Sequence, residues 1–123
     1  MKFILKNQAR FQKRPEGINA WYYMFDEYHL GYCEQPPGKA NEMHSHENIW
    51  ETIMIIEGEL VAKWQEDGEA KERIVAAGDV IEVGYTPHNL ENRGDKTAKF
   101  VFIKQILSGE DKKEILQKDK ILE

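Results

Sequence analysis

The sequence has a single cysteine, Cys33, in 123 residues. No internal disulfide can form and a thiolate-based zinc site is excluded, so any metal must bind through nitrogen and oxygen ligands. Long apolar runs are missing as well. None approaches the roughly 20 residues that a helix needs to cross a bilayer. Met1 to Lys6 places only three apolar residues between two lysines, without the apolar stretch or small-residue cleavage site of a secretory leader. A cytoplasmic protein is the expectation. Basic charge is in deficit, with 17 Lys and Arg against 22 Asp and Glu and a formal net charge of -5. A negative field repels phosphate backbones and anionic lipid, so neither nucleic acid nor a membrane is an expected partner. Internal repeats and low-complexity tracts are absent too.

What is present is a chain long enough for one core and too short for two of ordinary size. Its 41% hydrophobic and 32% charged residues match a soluble globular domain rather than a disordered one. Short β-type runs separated by turn residues dominate the middle of the chain. Ala20 to Cys33 reads as one or two strands closed by Gln35-Pro36-Pro37-Gly38, where the prolines cannot donate to a ladder. Glu51 to Ile56 follows, ended by Gly58, and then Leu60 to Gln65 with the hairpin signal Glu66-Asp67-Gly68-Glu69. Arg73 to Ala76, Val80 to Val83, His88 to Glu91 and Ala98 to Ile106 continue the series. Closely spaced antiparallel strands of this kind favour an all-β sandwich or closed barrel.

The expected organisation is one domain in three parts: N-terminal strands over 1–27 for packing or dimer contact, a barrel over 28–107, and a charged tail over 108–123. In the tail, Ile115, Leu116, Ile121 and Leu122 can share a helical stripe, which leaves a short external helix or a frayed terminus as alternatives.

Chemistry concentrates between Gly38 and Gly58. His44 and His46 lie two apart on an extended segment, and side chains there alternate faces, so both point the same way and can bind one ion. At the same period, Glu51 shares its face with Ile53 and Ile55, a carboxylate set above an apolar interior. A cation suits that place, because low dielectric strengthens its bond to the carboxylate and neutralisation offsets the cost of burying the charge.

The spacing, G-x5-H-x-H-x4-E-x6-G from Gly38 to Gly58, resembles the first signature motif of the cupin family without a mismatch. Gly78 to Asn92 is similar to the second motif: Gly78-Asp79 opens a strand, and His88 and Asn92 have the expected spacing. The interval from Gly78 to His88 is one residue shorter than the family pattern, with Gly84 and Pro87 supplying the turn. The resemblance spans roughly Tyr28 to Ile106, and two ordered motifs are far more specific than either alone.

This resemblance implies a jelly-roll β-barrel with one divalent metal ion held by His44, His46, Glu51 and His88. Positions on the ion stay open for water or substrate, and Fe, Mn, Ni, Cu and Zn all suit such a donor set. The function implied is a metalloenzyme acting on a small oxygenated metabolite, of dioxygenase, isomerase or lyase type. The alternative is a non-catalytic module that binds or senses a small molecule. Fold and metal do not choose among these. The resemblance also implies a homodimer formed through the sheets, with Met1 to Leu5 as a strand that helps pair them.

Four other features are weighed against plainer readings. Tyr85, in the loop before His88, is the one catalytic candidate, balanced by an ordinary turn tyrosine. Trp21, Tyr22 and Tyr23 fall on both faces of a strand and read as core or dimer contacts rather than a ligand wall. His29 reads as structural and stays outside the site, and Cys33 reads as a buried, inert thiol.

Overall fold

A computed structural model describes residues 1–106 and 120–122. A 3-10 turn over Lys6–Gln8 precedes the strands β1 (Arg10–Lys13), β2 (Asn19–Met24), β3 (Tyr28–Gln35), β4 (His44–His46) and β5 (Trp50–Glu57). There follow β6 (Glu59–Glu66), β7 (Glu69–Ala76), β8 (Val80–Gly84), β9 (His88–Glu91), β10 (Ala98–Gln105) and β11 (Lys120–Leu122). Six strands make one antiparallel sheet in the order β1-β2-β3-β10-β5-β8, and five make a second, β11-β4-β9-β6-β7. The two sheets form the all-β sandwich expected from the strand pattern, the jelly roll that the resemblance implied. No helix among the described residues is long and apolar enough to cross a membrane.

Alternation decides which side chains meet between the sheets. On β5 the buried residues are Glu51, Ile53 and Ile55, and on β10 they are Ala98, Phe100 and Phe102. The apolar ones among them join Leu60, Ala62, Val75 and Leu90 of the facing sheet in one core. Each large aliphatic or aromatic side chain taken from water contributes about 1.5–3 kcal/mol. The surface pairs Lys63–Glu91 at 2.9 Å and Arg93–Glu72 at 2.8 Å are partly exposed, and such pairs contribute at most about 1 kcal/mol. Core packing therefore dominates the stability of the sandwich.

Two local features set its shape. The ring of Phe102 lies against Gly31 on β3, where a Cβ would fall inside the ring, so only glycine fits beneath it. At the β6–β7 hairpin, Asp67 and Gly68 both have positive φ, 53° and 74°, the primed turn that matches strand twist in a two-residue loop.

Two expectations change. Met1 to Leu5 is not a strand: the amides of Gln8 and Ala9 bond the Leu5 carbonyl at 2.8 and 3.1 Å, closing a turn directly after it. The first strand is β1, whose four residues are all exposed, so it has no burial alternation to betray it in the sequence. At the other terminus, Ile121 and Leu122 lie in β11 rather than on a helix, because the free edge of β4 has backbone groups to pair. Ile115 and Leu116, the remainder of the expected helical stripe, lie outside the described residues.

Candidate metal centre

Three imidazoles come from one sheet and a carboxylate from the other. β4 sets His44 and His46 on its inner face, both buried. His88, first residue of β9, is the antiparallel partner of His44, with ring centroids 4.5 Å apart. Glu51 reaches across from β5 and is 4% exposed. One ligand atom from each of His44, His46 and Glu51 lies within 4.8 Å of the others. His88 joins them through its Nε2, 2.6 Å from Glu51 Oε1, and His46 Nε2 stands 3.9 Å from Glu51 Oε2.

The donors fit a divalent cation. His44 Nδ1 donates to the Glu42 carbonyl and His88 Nδ1 to the Thr86 carbonyl, each at 2.7 Å. A carbonyl only accepts, so each of these Nδ1 atoms carries its proton and each Nε2 is turned inward, that of His88 onto Glu51 Oε1. This backbone anchoring of the far ring nitrogen is the usual outer support of metal-binding histidines. Ligand atoms about 2 Å from an ion sit about 3 Å apart, a separation between the 2.6 Å of the His88–Glu51 contact and the 4.8 Å limit of the His44–His46–Glu51 group.

Charge agrees with geometry. Burial pushes the Glu51 carboxyl up, but the His88 hydrogen bond and the Lys104 charge outweigh burial and hold it down at about 2. Lys104 is the cross-strand partner of Glu51 on one side and of His29 on the other. His29 is 6% exposed and is lowered from the ordinary histidine value, first by burial and then by Lys104, so it is neutral at pH 7.

Two cavities flank the cluster. One, of about 290 Å³, is lined by His46 together with Arg14, Tyr22, His29, Phe102 and Lys104. The other, of about 490 Å³, opens between β7 and β8 and touches His88. Its floor is the core aliphatics Ile53, Ala62, Val75, Val83 and Leu90. Tyr85 lines neither. It is 44% exposed, with its ring edge-on to Trp50 at 5.1 Å, because the turn before β9 carries it to the outside. Asn92 is structural: its amide donates to the carbonyls of Gln35 and Lys96 at 2.9 and 2.8 Å, fixing the turn after β9. Cys33 is fully buried, and burial pushes its thiol up to about 11, which leaves it a thiol near neutrality.

Arg14, His29 and Lys104 were not legible as site residues. For Lys104 and His29 the one signal is register: Lys104 pairs with Glu51 on one side and with His29 on the other, an alignment that needs the β3–β10–β5 pairing, whereas Arg14 lies past the end of β1.

Comparison with known proteins agrees with this architecture. A family model described as Cupin domain matches residues 31–104. No curated protein matches the chain. Among solved structures, a predicted oxalate decarboxylase from Thermotoga maritima superposes with a TM-score of 0.72 at 19% identity, covering 86% of this chain and 100% of that one. CENP-C of Drosophila melanogaster, bound to CAL1, superposes with a TM-score of 0.71 at 23% identity, covering 80% and 78%. Oxalate decarboxylase of Bacillus subtilis, which has Mn(II) centres, gives 0.69 at 26% identity, covering 76% of this chain. The alignment spans only 27% of the Bacillus chain.

Proposed function

The chain belongs to the cupin family, and from that premise we propose that it is a metalloenzyme whose single divalent ion is held by His44, His46, Glu51 and His88. Its substrate is a small oxygenated metabolite. The observation that carries this reading is the pair of Nδ1–carbonyl bonds, at 2.7 Å each, that turn the Nε2 atoms of His44 and His88 inward toward a buried carboxylate. Those bonds fix ring orientation before any ion arrives, which lowers the entropy that binding must remove.

When bound, the ion supplies Lewis acidity to an oxygen ligand. The chain's own residues do the rest. Glu51 keeps a negative charge inside the sandwich because Lys104 and His88 hold it ionised. His29, neutral and facing the smaller cavity, can take or give a proton there. The apolar walls from Ile53, Ile55 and Phe102 exclude water from the inner side. The Mn(II) centres of the Bacillus neighbour make manganese the first metal to test.

The test is elemental analysis of gently purified wild type and His46→Ala, then reconstitution of the metal-free protein with Mn(II), Fe(II), Ni(II), Cu(II) or Zn(II) and a screen of small acids and sugars for turnover. About one ion per chain in wild type and none in His46→Ala is expected. Equal metal content in both refutes the site. Tight ligand binding without turnover under every metal assigns the chain instead to the binding or sensing class.

We also infer a homodimer through the outer face of the six-stranded sheet. There Phe11, Trp21, Tyr32, Val101, Met54 and Val80 are successive cross-strand partners, forming one apolar row over all six strands. Phe11, Met54 and Val80 are 52%, 42% and 59% exposed. A second copy presents the same row and covers it. Light scattering of the wild type at the mass of a monomer would sink this inference.

A further inference from the structure

The two cavities differ in their charged linings. Around the smaller one, Arg10, Arg14 and Lys104 line it against Glu16 and Glu42, three basic side chains to two acidic ones, with Lys104 also answering Glu51. The larger cavity has the opposite bias, with Lys63 and Arg73 against Glu66, Asp79 and Glu82. Arg14 is half-buried, and its Nε and one Nη donate to the Tyr22 hydroxyl at 3.1 and 2.9 Å. That acceptor is neutral, and among the described residues Arg14 forms no ion pair. Three of its five N–H donors are left over after the bond to Tyr22. Glu16 on the same wall acts on this cation through space without forming an ion pair with it, so the free donors remain available to an anionic ligand.

Tyr22 orients the group as well as accepting from it. With its oxygen taking two N–H bonds from Arg14, the phenol still has its own hydrogen to donate. Tyr22 and Phe102 face the same cavity, their rings edge-on at 6.0 Å. A planar fork beside a hydroxyl donor matches a planar anion with two oxygens in line.

Resting on the metal-centre reading above, we propose that the ligand of this site is a small carboxylate, and that Arg14, held by Tyr22, receives its carboxylate group in the cavity that His46 shares. The volume of about 290 Å³ stands at the low end for ligand sites, which run from about 300 to 1,000 Å³, so the acid is small. One guanidinium with free donors, with Glu16 and Glu42 on the same wall, suits one carboxylate and disfavours a phosphate dianion. Arg14 is thus a specificity-determining residue: neutral polyols of similar size leave its charge unanswered.

The experiment uses the full chain loaded with Mn(II). Metal content is measured on every sample, and calorimetric titrations are run with acetate, succinate, inorganic phosphate and glycerol. Succinate binds wild type, and Arg14→Gln weakens it about ten- to hundredfold with metal content unchanged, as expected for loss of a charge-assisted bond. Arg14→Lys, which retains the charge but not the fork, loses less. Equal succinate affinity in wild type and Arg14→Gln overturns the proposal, and so does tighter binding of phosphate or glycerol than of either carboxylate. Should Arg14→Gln fail to fold, Tyr22→Phe is read in its place: it leaves the guanidinium without its anchor, weaker succinate binding supports the proposal and unchanged affinity overturns it. A wild type that takes up no metal overturns both readings. A metal-loaded wild type that ignores acetate and succinate overturns this one alone.

Discussion

The two faces of the six-stranded sheet invert the usual arrangement at one end of the molecule. Along β5 and β10 the inner face carries Glu51 beside Lys104, ahead of Ile53 and Phe102, whereas the outer face carries Met54 beside Val101, with Ile56 nearby. Ionised groups are withdrawn from water while large apolar groups are left in it. Both choices cost stability in an isolated chain. Under the readings proposed above, a cation and an anion inside and a second apolar face outside would offset that cost. The same strands, read at opposite parity, would then serve two different recognition tasks.

The largest expected effect tests the inner face by pH. Glu51 is held at about 2, below its ordinary 4.5. A carboxyl lowered in the folded state contributes stability above the unfolded value and loses it as pH falls through the folded one. Metal-free protein should therefore lose about 3 kcal/mol from this group as pH drops from 4.5 to 2, measured by urea unfolding at a series of pH values. Glu51→Gln should flatten that slope, and an unchanged slope would show that Glu51 is not the group responsible.

Next in size is Gly31→Ala, which sets a methyl group against the Phe102 ring. Overpacking of this kind costs about 1–3 kcal/mol, and a thermal melt within error of wild type would mean that the ring is not fixed where the inner face needs it. On the outer face, Met54→Lys should change chain stability by no more than about 0.5 kcal/mol yet shift the mass in light scattering from dimer to monomer. Unfolding of this variant would instead make Met54 part of the core and dissolve the contrast. The smallest effect is expected at Tyr85. Tyr85→Phe removes an exposed hydroxyl, and metal content and melting should match wild type; loss of metal would bring this loop back into the site.

Much of this was legible from residue order. The turn residues after Gln35, at Gly58, at Asp67-Gly68 and at Gly84 to Pro87 bound the strands within a residue or two, because glycine at positive φ and proline without an amide end ladders locally. His44, His46 and Glu51 were legible because period two needs no knowledge of the partner strand. His88 was legible from its motif. Tyr85 was misleading for the same reason that it attracted notice: nearness to His88 in sequence says nothing about which side of a turn a side chain leaves from.

The N-terminal strand was placed too early. β1 alternates nothing, since all four of its residues are exposed, and its position depends on pairing with β2 rather than on its own pattern. The inner row from His29 through Lys104 to Glu51 was invisible for a related reason. These residues come from three separate strands, and a slip of one residue in either register would turn the row outward.

By itself, then, the sequence determined the all-β class, the positions of most turns and the donor types offered by the candidate metal centre, since strand alternation, turn chemistry and residue identity are local properties. Only the tertiary structure decided that the carboxylate faces the imidazoles from the opposite sheet, that Arg14 and Lys104 share a cavity with His46 and that Tyr85 does not. Each of these depends on cross-strand register and sheet-to-sheet packing, long-range pairings whose energy comes from the core as a whole and is written in no single stretch of the chain.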